Sequence, residues 1–422
     1  MNEAPMAPTK TAPPPPSPDG LLAYLKPKSK QWLPLSDDAF RFFSKTDEIN
    51  QSDTDSMRLN RSALQDMLST ALQLPNISFF AGSGTSLAEV RGPSMWDLWE
   101  KAMTESLLSD GLTPEAKSVC AKVRYTEFVS PNIEHFLSQC DAYLLFNPED
   151  IEVENFLIKV KTLILDECSS FIAKPGSDLS TYRNLLQKLA RRRVRDPRLK
   201  VFTTNYDMCF ETSSSDLGMM VIDGFSYTRK RRFDGKYFNY DVVRRDSEKH
   251  EFVEGIFQLY KLHGSVSWVR DGNEIFEYAK PSAKDACLIY PAKGKYQQAF
   301  LQPHLELLSR FLESLRQPNS CLFMAGFGFN DDHLSEPIYS AIKSNPSLKL
   351  IIADYKCAAH IENAGSRGSS AYWRKFADLS EQGYDIHFVN GTFKGFVEQI
   401  PNLRALSPAE QLANAVKRAG GQ

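Results

Sequence analysis

The sequence predicts an α/β protein with a parallel sheet and a helical subdomain inserted after the first strand. Five short apolar runs carry this prediction, because each has the length of a buried strand and is followed at once by Gly, Asn or Asp. The runs are 77–81, 201–204, 321–325, 350–353 and 386–389. Helical patterns separate them, and strands that alternate with helices pair in parallel.

The helical insert is predicted over about 113–198, where apolar residues such as Ile133, Phe136 and Leu137 recur at helical spacing. Just before it, Ser94 and Asp97 have the spacing of a capping box that starts a helix. The remaining divisions follow from composition and pattern. We expect a disordered Pro-rich tail over 1–20, a mostly helical extension over 21–74, the sheet domain over 75–400 and a C-terminal tail over 401–422.

The composition indicates a large folded domain with no general attraction to nucleic acid. The chain has 422 residues, of which 42% are hydrophobic and 24% charged, and its net charge is -2. Because it lacks a signal-peptide pattern and an apolar run of about 18 residues, we expect a cytoplasmic protein that does not contact membrane. Its seven cysteines form no Cys-x-x-Cys pair, which excludes a four-thiolate zinc ribbon. We predict no metal.

A glycine turn follows the first predicted strand. Gly82, Ser83, Gly84 and Ser86 lie between a strand and a helix, where backbone N–H groups can approach a pyrophosphate near the positive helix end. The third glycine of the usual dinucleotide fingerprint is missing, because Leu87 occupies its position. Taken alone, the turn is equally consistent with a Gly-rich turn that binds nothing.

A second glycine turn follows the third predicted strand. Gly326 and Gly328 are candidates for close approach to a ribose or phosphate. Asp331, Asp332 and His333 follow them and raise the question of a metal site. Because the two neighbouring acids point in different directions, helix capping and solvent exposure are the favoured interpretation over metal ligation.

Two polar strings supply candidate catalytic groups. Asn205 and Asp207, in Thr-Thr-Asn-Tyr-Asp, follow the second predicted strand and can hydrogen-bond a ribose or position a water, with helix capping as the alternative for either alone. His263, in Lys-Leu-His-Gly-Ser, adjoins a glycine that allows a substrate to come close. Its neutral imidazole can accept a proton near pH 7, and a structural histidine is the alternative.

Two weaker candidates and two basic runs complete the set. Asp354, at the end of the fourth predicted strand, can accept hydrogen bonds from a ribose, with a surface cap as the alternative. Asn390 ends the fifth and can border an adenine or form a tight turn. The basic runs 191–195 and 229–232, the latter beside aromatic residues, can grip single-stranded nucleic acid, although solvated faces are favoured for both.

Taken in order, the 82–86 turn and the strings Thr-Thr-Asn-Tyr-Asp, Lys-Leu-His-Gly and Gly-Phe-Gly-Phe-Asn-Asp-Asp-His resemble the sirtuin-like NADase domain of bacterial antiphage defence systems. Weaker likenesses are Pro-Asn-Ile-Glu at 131–134 and Tyr-Pro at 290–291. The resemblance implies a Rossmann-like sheet, a catalytic pair formed by Asn205 and His263, and an NAD pocket that includes the glycine turn and Asp207.

The resemblance implies an NAD hydrolase that releases nicotinamide and ADP-ribose and acts in antiphage defence by NAD depletion, as in abortive infection. It also implies a homo-oligomer and a possible HerA-type ATPase partner. An NAD-dependent protein deacylase, an ADP-ribosyltransferase and a non-catalytic scaffold that senses NAD or ADP-ribose remain alternatives. The missing zinc-ribbon cysteines favour hydrolysis over deacylation.

Overall fold

The fold is seen in a computed structural model, which describes residues 17–105, 111–128, 131–192, 196–246, 249–288, 302–366 and 368–402. Its strands are β1 (Ala23–Leu25), β2 (Leu33–Pro34), β3 (Asn76–Ala81), β4 (Leu199–Thr203), β5 (Met220–Ile222), β6 (Val243–Asp246), β7 (Lys249–Phe252), β8 (Ile256–Lys261), β9 (Gly264–Asp271), β10 (Glu274–Glu277), β11 (Ala286–Leu288), β12 (Ser320–Ala325), β13 (Leu348–Asp354) and β14 (Ile386–Asn390).

Helices cover the sheet and form the insert. They are α1 (Asp37–Ser44), α2 (Gln51–Ala71), α3 (Met95–Met103), α4 (Pro114–Lys122), α5 (Ile133–Phe146), α6 (Ile151–Ser170), α7 (Ser180–Leu189), α8 (Cys209–Asp216), α9 (His304–Arg316), α10 (Asp332–Ser344), α11 (Cys357–Glu362), α12 (Tyr372–Gln382) and α13 (Phe393–Gln399). Short 3-10 turns occur at Ser83–Ser86, Phe171–Ala173 and Gly235–Asn239.

A nine-stranded sheet with the order β2-β1-β14-β13-β12-β3-β4-β8-β5 forms the centre of the molecule. The strands from β14 to β5 pair in parallel, and β1 and β2 add an antiparallel edge. The five predicted strands correspond to β14, β13, β12, β3 and β4, which lie side by side, so the predicted α/β fold with a parallel sheet is confirmed. Strand β8 is not among them, because Gln258 and Lys261 interrupt its apolar pattern.

Alternate side chains of the parallel strands enter two different cores. Phe80 and Phe202 belong to the core on one face, while Phe79 and Val201 belong to the core on the other. Because helices cover both faces, both sets of side chains are buried, which explains why these strands are continuous apolar runs in the sequence.

The carboxyl ends of the central strands meet at one level. Ala81 at the end of β3 pairs in register with Thr203 of β4 and with Ala325 of β12. From β3, the chain first adds β4 and β8 on one side of β3, and it later adds β12, β13 and β14 on the other side. The strand order therefore reverses direction between β3 and β12. Such a reversal opens a crevice beyond the strand ends, where ligands bind in α/β sheets.

The helical insertion between β3 and β4 is also confirmed. Helices α3 to α6 share a core of their own, which includes Trp99, Phe136 and Phe156. The predicted capping box is present, because Ser94 accepts from the Asp97 amide and Asp97 accepts from the Ser94 amide. Val266 of β9 joins this core, so the insert is packed against the rest of the fold.

The segments outside the central domain are partly described. Residues 21–74 contribute β1 and β2 to the main sheet as well as two helices. Within the predicted N-terminal tail, the Gly20 amide donates to the Tyr355 carbonyl at 2.6 Å. The rest of the two predicted tails, 1–16 and 403–422, lies outside the described residues. In the described ranges, no helix is long and apolar enough to cross a bilayer, and no group of acids, cysteines or histidines has a metal-binding arrangement.

Candidate functional site

A cavity lies between the carboxyl edge of the sheet and the helical insert. Its sheet wall, as we call it, comprises Ser83, Ser86, Asn205, Asp207, His263, Gly328 and Asp331. Its insert wall comprises Met95, Leu98, Glu134, Cys168 and Phe171. The cavity therefore occupies the crevice that the sheet topology creates, with the insert as its roof.

Asn205 is held rigidly in the sheet wall. Its amide nitrogen Nδ2 lies 3.1 Å from the Gly82 carbonyl oxygen, 3.2 Å from Thr85 Oγ1 and 3.0 Å from Ser86 Oγ, and can donate to these acceptors. Its backbone N–H donates to Thr203 Oγ1 at 3.0 Å. The carbonyl oxygen Oδ1 is buried in the cavity region without a hydrogen-bond partner. A buried, unpaired acceptor costs free energy, which a bound donor would recover.

Asp207 is joined to Asn205 through Ser86. Ser86 Oγ donates to Asp207 Oδ2 at 2.7 Å, and the Cys209 amide donates to Asp207 Oδ1 at 3.0 Å. The Tyr182 hydroxyl, fully buried, lies 2.9 Å from Ser86 Oγ. The predicted turn residue and the two predicted polar residues thus form one buried network, which fixes their positions relative to each other.

Lys261 anchors the loop that carries these groups. Its ammonium is buried and pairs with Glu211 Oε1 at 2.8 Å. It also donates to Ser265 Oγ at 2.9 Å and to the backbone carbonyls of Tyr206 and Asp207. Lys261 is thus a positioning residue. The sequence places it beside His263 but gives no sign of its burial.

His263 is buried and sits beside two other histidines. Its Nε2 lies 3.4 Å from His333 Nε2, and His304 is hydrogen-bonded to the preceding carbonyl, that of Leu262. Burial, followed by the neighbouring rings of His333 and His304, lowers the pKa of His263 well below its ordinary value. Burial also lowers the pKa of His333. His263 is therefore neutral at physiological pH and can accept a proton.

The two predicted glycine turns pack against each other. The Gly84 amide donates to the Gly326 carbonyl at 3.0 Å. A Cβ on Gly82 would lie 2.4 Å from the Gly326 oxygen, and one on Gly326 would lie 2.6 Å from the Thr85 nitrogen. Gly326 also has φ +61°, which disfavours a side chain. In this structure, glycine is required at these positions because the two loops contact each other. The sequence analysis expected a different reason, namely the approach of the backbone to a pyrophosphate.

The structure brings most of the predicted site residues together. Those that line the cavity are Ser83, Ser86, Asn205, Asp207, His263 and Gly328. Gly82, Gly84 and Gly326 lie directly behind them in the packed turns. Asp354 does not line the cavity. Its carboxylate accepts from the Lys356 amide at 2.8 Å and lies 3.8 Å from His360 Nε2, and burial raises its pKa to about 6.

Asn390 is also placed away from the cavity. Its side chain accepts from the Ala358 amide at 2.9 Å and donates to the carbonyls of Pro18 and Leu21. It therefore connects residues 18–21 to helix α11. Both Oδ1 and Nδ2 of its side chain are engaged in these contacts.

The interpretation of Asp331 as a capping side chain is wrong, although Asp331 is partly exposed and its neighbour Asp332 is exposed as expected. Asp331 precedes α10, but its side chain makes no capping hydrogen bond. It lines the cavity instead, and burial followed by Asp332 raises its pKa to about 6. The physical reason is that the turn after β12 directs the Asp331 side chain toward the crevice. The sequence shows only that adjacent side chains point in different directions, and it does not show which of the two acids faces the crevice.

Glu134 is the acid of the insert wall, and it is not among the site residues predicted from the sequence. It lies in the first turn of α5, whose cap is Asn132. Burial, followed by Asp331, raises the pKa of Glu134 well above its ordinary value, while a hydrogen bond from Tyr206 opposes the rise. The only signal in the sequence is the weak Pro-Asn-Ile-Glu likeness at 131–134, because an acid in the first turn of a helix is common.

Several basic side chains of the two basic runs already have partners within the protein. Arg192 is buried and donates to the carbonyls of Leu74, Pro75 and Pro197, so the solvated interpretation is wrong for this residue. Residues 193–195 lie outside the described part, as do residues 290–291 of the weaker likeness. In the second run, Arg231 pairs with Asp223 and Glu277, and Arg232 pairs with Glu274. These acids neutralise two of its cations.

Comparison with known proteins finds a match to a family model over part of the chain. Residues 199–367 match the SIR2-like domain. The matched range begins at β4 and contains Asn205, Asp207, His263 and the Gly326 turn, but it leaves out the 82–86 turn and the helical insert. No curated protein matches the chain.

Two solved structures are similar at low identity. The alignment with a Sir2 homologue in complex with NAD covers 80% of this chain and 92% of the homologue, with 12% sequence identity and a TM-score of 0.40. A mutant Sir2 homologue in complex with 2'-O-acetyl ADP ribose covers 79% of this chain and 94% of its own, with 11% identity and a TM-score of 0.38.

Proposed function

We propose that the protein binds NAD in this cavity and hydrolyses its nicotinamide–ribose bond to nicotinamide and ADP-ribose. One observation carries the proposal: Asn205 and His263 line the same cavity. The buried Oδ1 of Asn205 lacks a hydrogen-bond partner, and the buried ring of His263 is neutral. Both residues lie in the range that matches the SIR2-like domain. NAD is the substrate, and the proposal requires no metal.

Asn205 orients the substrate or the attacking water. Its Nδ2 donates to the 82–86 turn, which fixes the orientation of the side chain. Its Oδ1 is then held in place to accept a hydrogen bond from a ribose hydroxyl or from water. A rigid acceptor lowers the entropic cost of reaching the reactive geometry. Ser86 and Asp207 hold the side chain in this orientation through their shared hydrogen bonds.

The reaction breaks the bond between the ribose C1' and the nicotinamide nitrogen, whose electron pair stays on nicotinamide. The positive charge passes from the ring to the ribose, and a water oxygen forms the new bond to C1'. His263 accepts the proton that this water loses and returns it to solvent. The lowered pKa keeps the His263 ring unprotonated across the physiological pH range.

Incubation of the full chain with NAD alone tests the proposal. We expect nicotinamide and ADP-ribose in equal amounts, and a loss of about 100-fold or more in kcat for Asn205→Ala and for His263→Ala. His360→Ala is the matched control, because His360 stacks on Trp373 away from the cavity. Full turnover in both site variants would refute the proposed chemistry.

The same experiment separates the alternatives. A deacylase or an ADP-ribosyltransferase needs a second substrate, so NAD alone would yield little nicotinamide until an acylated or acceptor protein is added. A sensing scaffold would bind NAD or ADP-ribose tightly without any turnover. Equal release of both products from NAD alone excludes all three.

We also propose that assembly controls this activity in antiphage defence, as a homo-oligomer or with a HerA-type ATPase. An NADase that is always active would deplete its own cell, so turnover requires a control. The support is the resemblance described for the sequence. Mass measurement and co-purification check it, and a fully active monomer that captures no ATPase would refute it.

A further inference from the structure

A second cavity lies in the surface between helix α1 of the N-terminal extension and helix α11. We call it the aromatic groove. Its volume of about 920 Å³ is near the upper end of the range of roughly 300–1,000 Å³ that ligand pockets occupy. It shares no lining residue with the candidate NAD cavity. Its apolar lining comprises Leu21, Trp32, Phe42, Phe43 and Ile361.

The aromatic side chains of this groove are only partly covered by the fold. Phe42 and Phe43 lie on α1, where Ala39 is the buried residue, and both are half-buried. The Phe43 ring stacks on Trp32 with centroids 5.9 Å apart and meets Phe42 edge-on at 5.1 Å. In the described ranges, none of the three apolar cores includes Phe42 or Phe43. Contiguous apolar surface that faces solvent is typical of a binding surface.

The chain itself leads into the aromatic groove. Ser17 and Pro18, the first described residues, line it. The Asn390 side chain donates to the carbonyls of Pro18 and Leu21, at 2.8 and 2.6 Å, and so fixes the point where residues 1–16 join the fold. Because the segment is tethered at the groove, its effective concentration beside the aromatic rings is high.

The composition of this segment suits a groove lined by aromatic rings. Six of residues 1–16 are proline, and four of these are consecutive. Consecutive prolines favour the polyproline II helix, which has about three residues per turn. Prolines three positions apart share a face of such a helix, as Pro5 and Pro8 would, and as Pro13 and Pro16 would. Aromatic grooves bind this helix because it is preformed and loses little entropy on binding.

The charged lining of the groove is complementary to the same segment. Lys10 is the sole basic side chain in residues 1–16. Asp38 of the lining pairs with a neighbouring arginine at 3.2 Å, whereas Asp47 and Glu362 form no ion pair among the described residues. Both of these acids are exposed at the groove, where a lysine gains a modest attraction that salt screens.

We propose that the aromatic groove binds the chain's own Pro-rich segment, residues 5–16, as a polyproline II helix whose proline rings pack on the aromatic lining. The segment binds the groove of its own copy, because Ser17, which follows it, already lies there. Docking covers the rings that α1 leaves half-buried, in place of the disordered tail expected from the sequence. This inference is independent of the chemistry proposed for the NAD cavity.

Trypsin cleavage after Lys10 tests the inference in the full chain. Trypsin must bind the residues on both sides of the bond that it cuts, so a docked segment is protected. The reference is a synthetic peptide of residues 1–20, which has the same cleavage site and no groove. Mass spectrometry of the fragment 1–10 gives both initial rates. We expect the full chain to be cut about tenfold or more slowly than the peptide, and equal rates would overturn the inference.

A variant of the segment removes one side of the contact. This tail variant combines Pro13→Ser, Pro14→Ser, Pro15→Ser and Pro16→Ser. Its cleavage after Lys10 should rise to within about twofold of a peptide that carries the same changes. The substitutions lie outside the groove residues, so the result does not depend on whether a change in the groove impairs folding. Protection that survives in the tail variant would contradict docking through the prolines.

A variant of the groove removes the other side. The groove variant, Phe42→Ala combined with Phe43→Ala, should lose protection to the same extent as the tail variant. Leu59→Ala is the matched control in the N-terminal extension, because Leu59 on α2 is 67% exposed and does not line the groove. It should retain the wild-type protection. A groove variant that stays protected would show that the segment binds elsewhere.

Co-expression of the two variants separates docking within one chain from exchange between copies. The tail variant has an intact groove, and the groove variant has an intact segment. The fragment that begins at Thr11 differs in mass between them, so the cleavage of each chain is measured separately. The segment of the groove variant should be cut as fast as when that variant is expressed alone. Recovered protection would mean that the segment docks on a second copy, which would overturn the assignment to its own groove.

Discussion

The sheet wall of the cavity is held by hydrogen bonds and a buried ion pair, whereas apolar packing holds the insert wall. Asn205 and Asp207 are fixed by the 82–86 turn from one side and by Lys261 from the other. Across the cavity, Leu98 and Phe171 present apolar surface, and Glu134 is the acid among them. Under the proposed function we therefore expect a division of labour, in which the sheet wall orients the reacting atoms and the insert wall binds substrate and excludes water.

The largest effect is expected from removing the anchor of the sheet wall. Lys261→Met leaves Glu211 buried without its partner, and we expect a loss of about 3–5 kcal/mol in the free energy of unfolding, measured in urea. The variant also frees the Tyr206 and Asp207 carbonyls from their donor, so kcat should fall as the loop with Asn205 shifts.

A double variant separates stability from positioning. Lys261→Met combined with Glu211→Gln removes the unpaired charge and should recover much of the stability, because the cost lies mainly in the orphaned acid. The rate of NAD hydrolysis should stay low, since the carbonyls remain without a donor. Recovery of both stability and rate would mean that Lys261 serves folding alone, and the rigidity of the sheet wall would then not matter for the reaction.

The two walls also differed in how far the sequence predicted them. Asn205 and His263 were identifiable because parallel strands end at a common edge, so residues that follow apolar runs converge. The role of Lys261 could not be predicted, because lysine is seldom buried and its partner Glu211 lies 50 positions away. Glu134 and Leu98 depend on how the insert packs over the sheet, a tertiary contact that helical periodicity does not encode.

An intermediate effect is expected from the insert wall. Leu98→Ala removes a buried apolar side chain from the cavity lining, so KM for NAD should rise about tenfold while kcat changes less than about threefold. Steady-state kinetics measure both. Leu145→Ala is the matched control on the same insert, because Leu145 is 77% exposed. A fall in kcat with KM unchanged would show that the insert wall acts in the transition state, against the division of labour.

The smallest effect on activity is expected at Asp354, which ends a parallel strand yet belongs to neither wall. Asp354→Asn should change kcat/KM by less than about twofold, whereas the same change at a wall carboxyl should alter NAD binding. A larger loss would mean that ligand contacts extend beyond the cavity toward β13.

The stability of the same variant should depend on pH in a defined direction. Burial raises the pKa of Asp354 to about 6, above the value of about 3.9 for an exposed aspartate. The folded state therefore holds this proton more tightly than the unfolded state, and the resulting stability is complete below about pH 4 and lost as pH rises through about 6. Relative to wild type, Asp354→Asn should gain roughly 1–3 kcal/mol between pH 4 and pH 7. Thermal unfolding across this range measures the difference, and a constant difference would mean that the carboxylate is stabilised as an anion, by the Lys356 amide and His360, despite its burial.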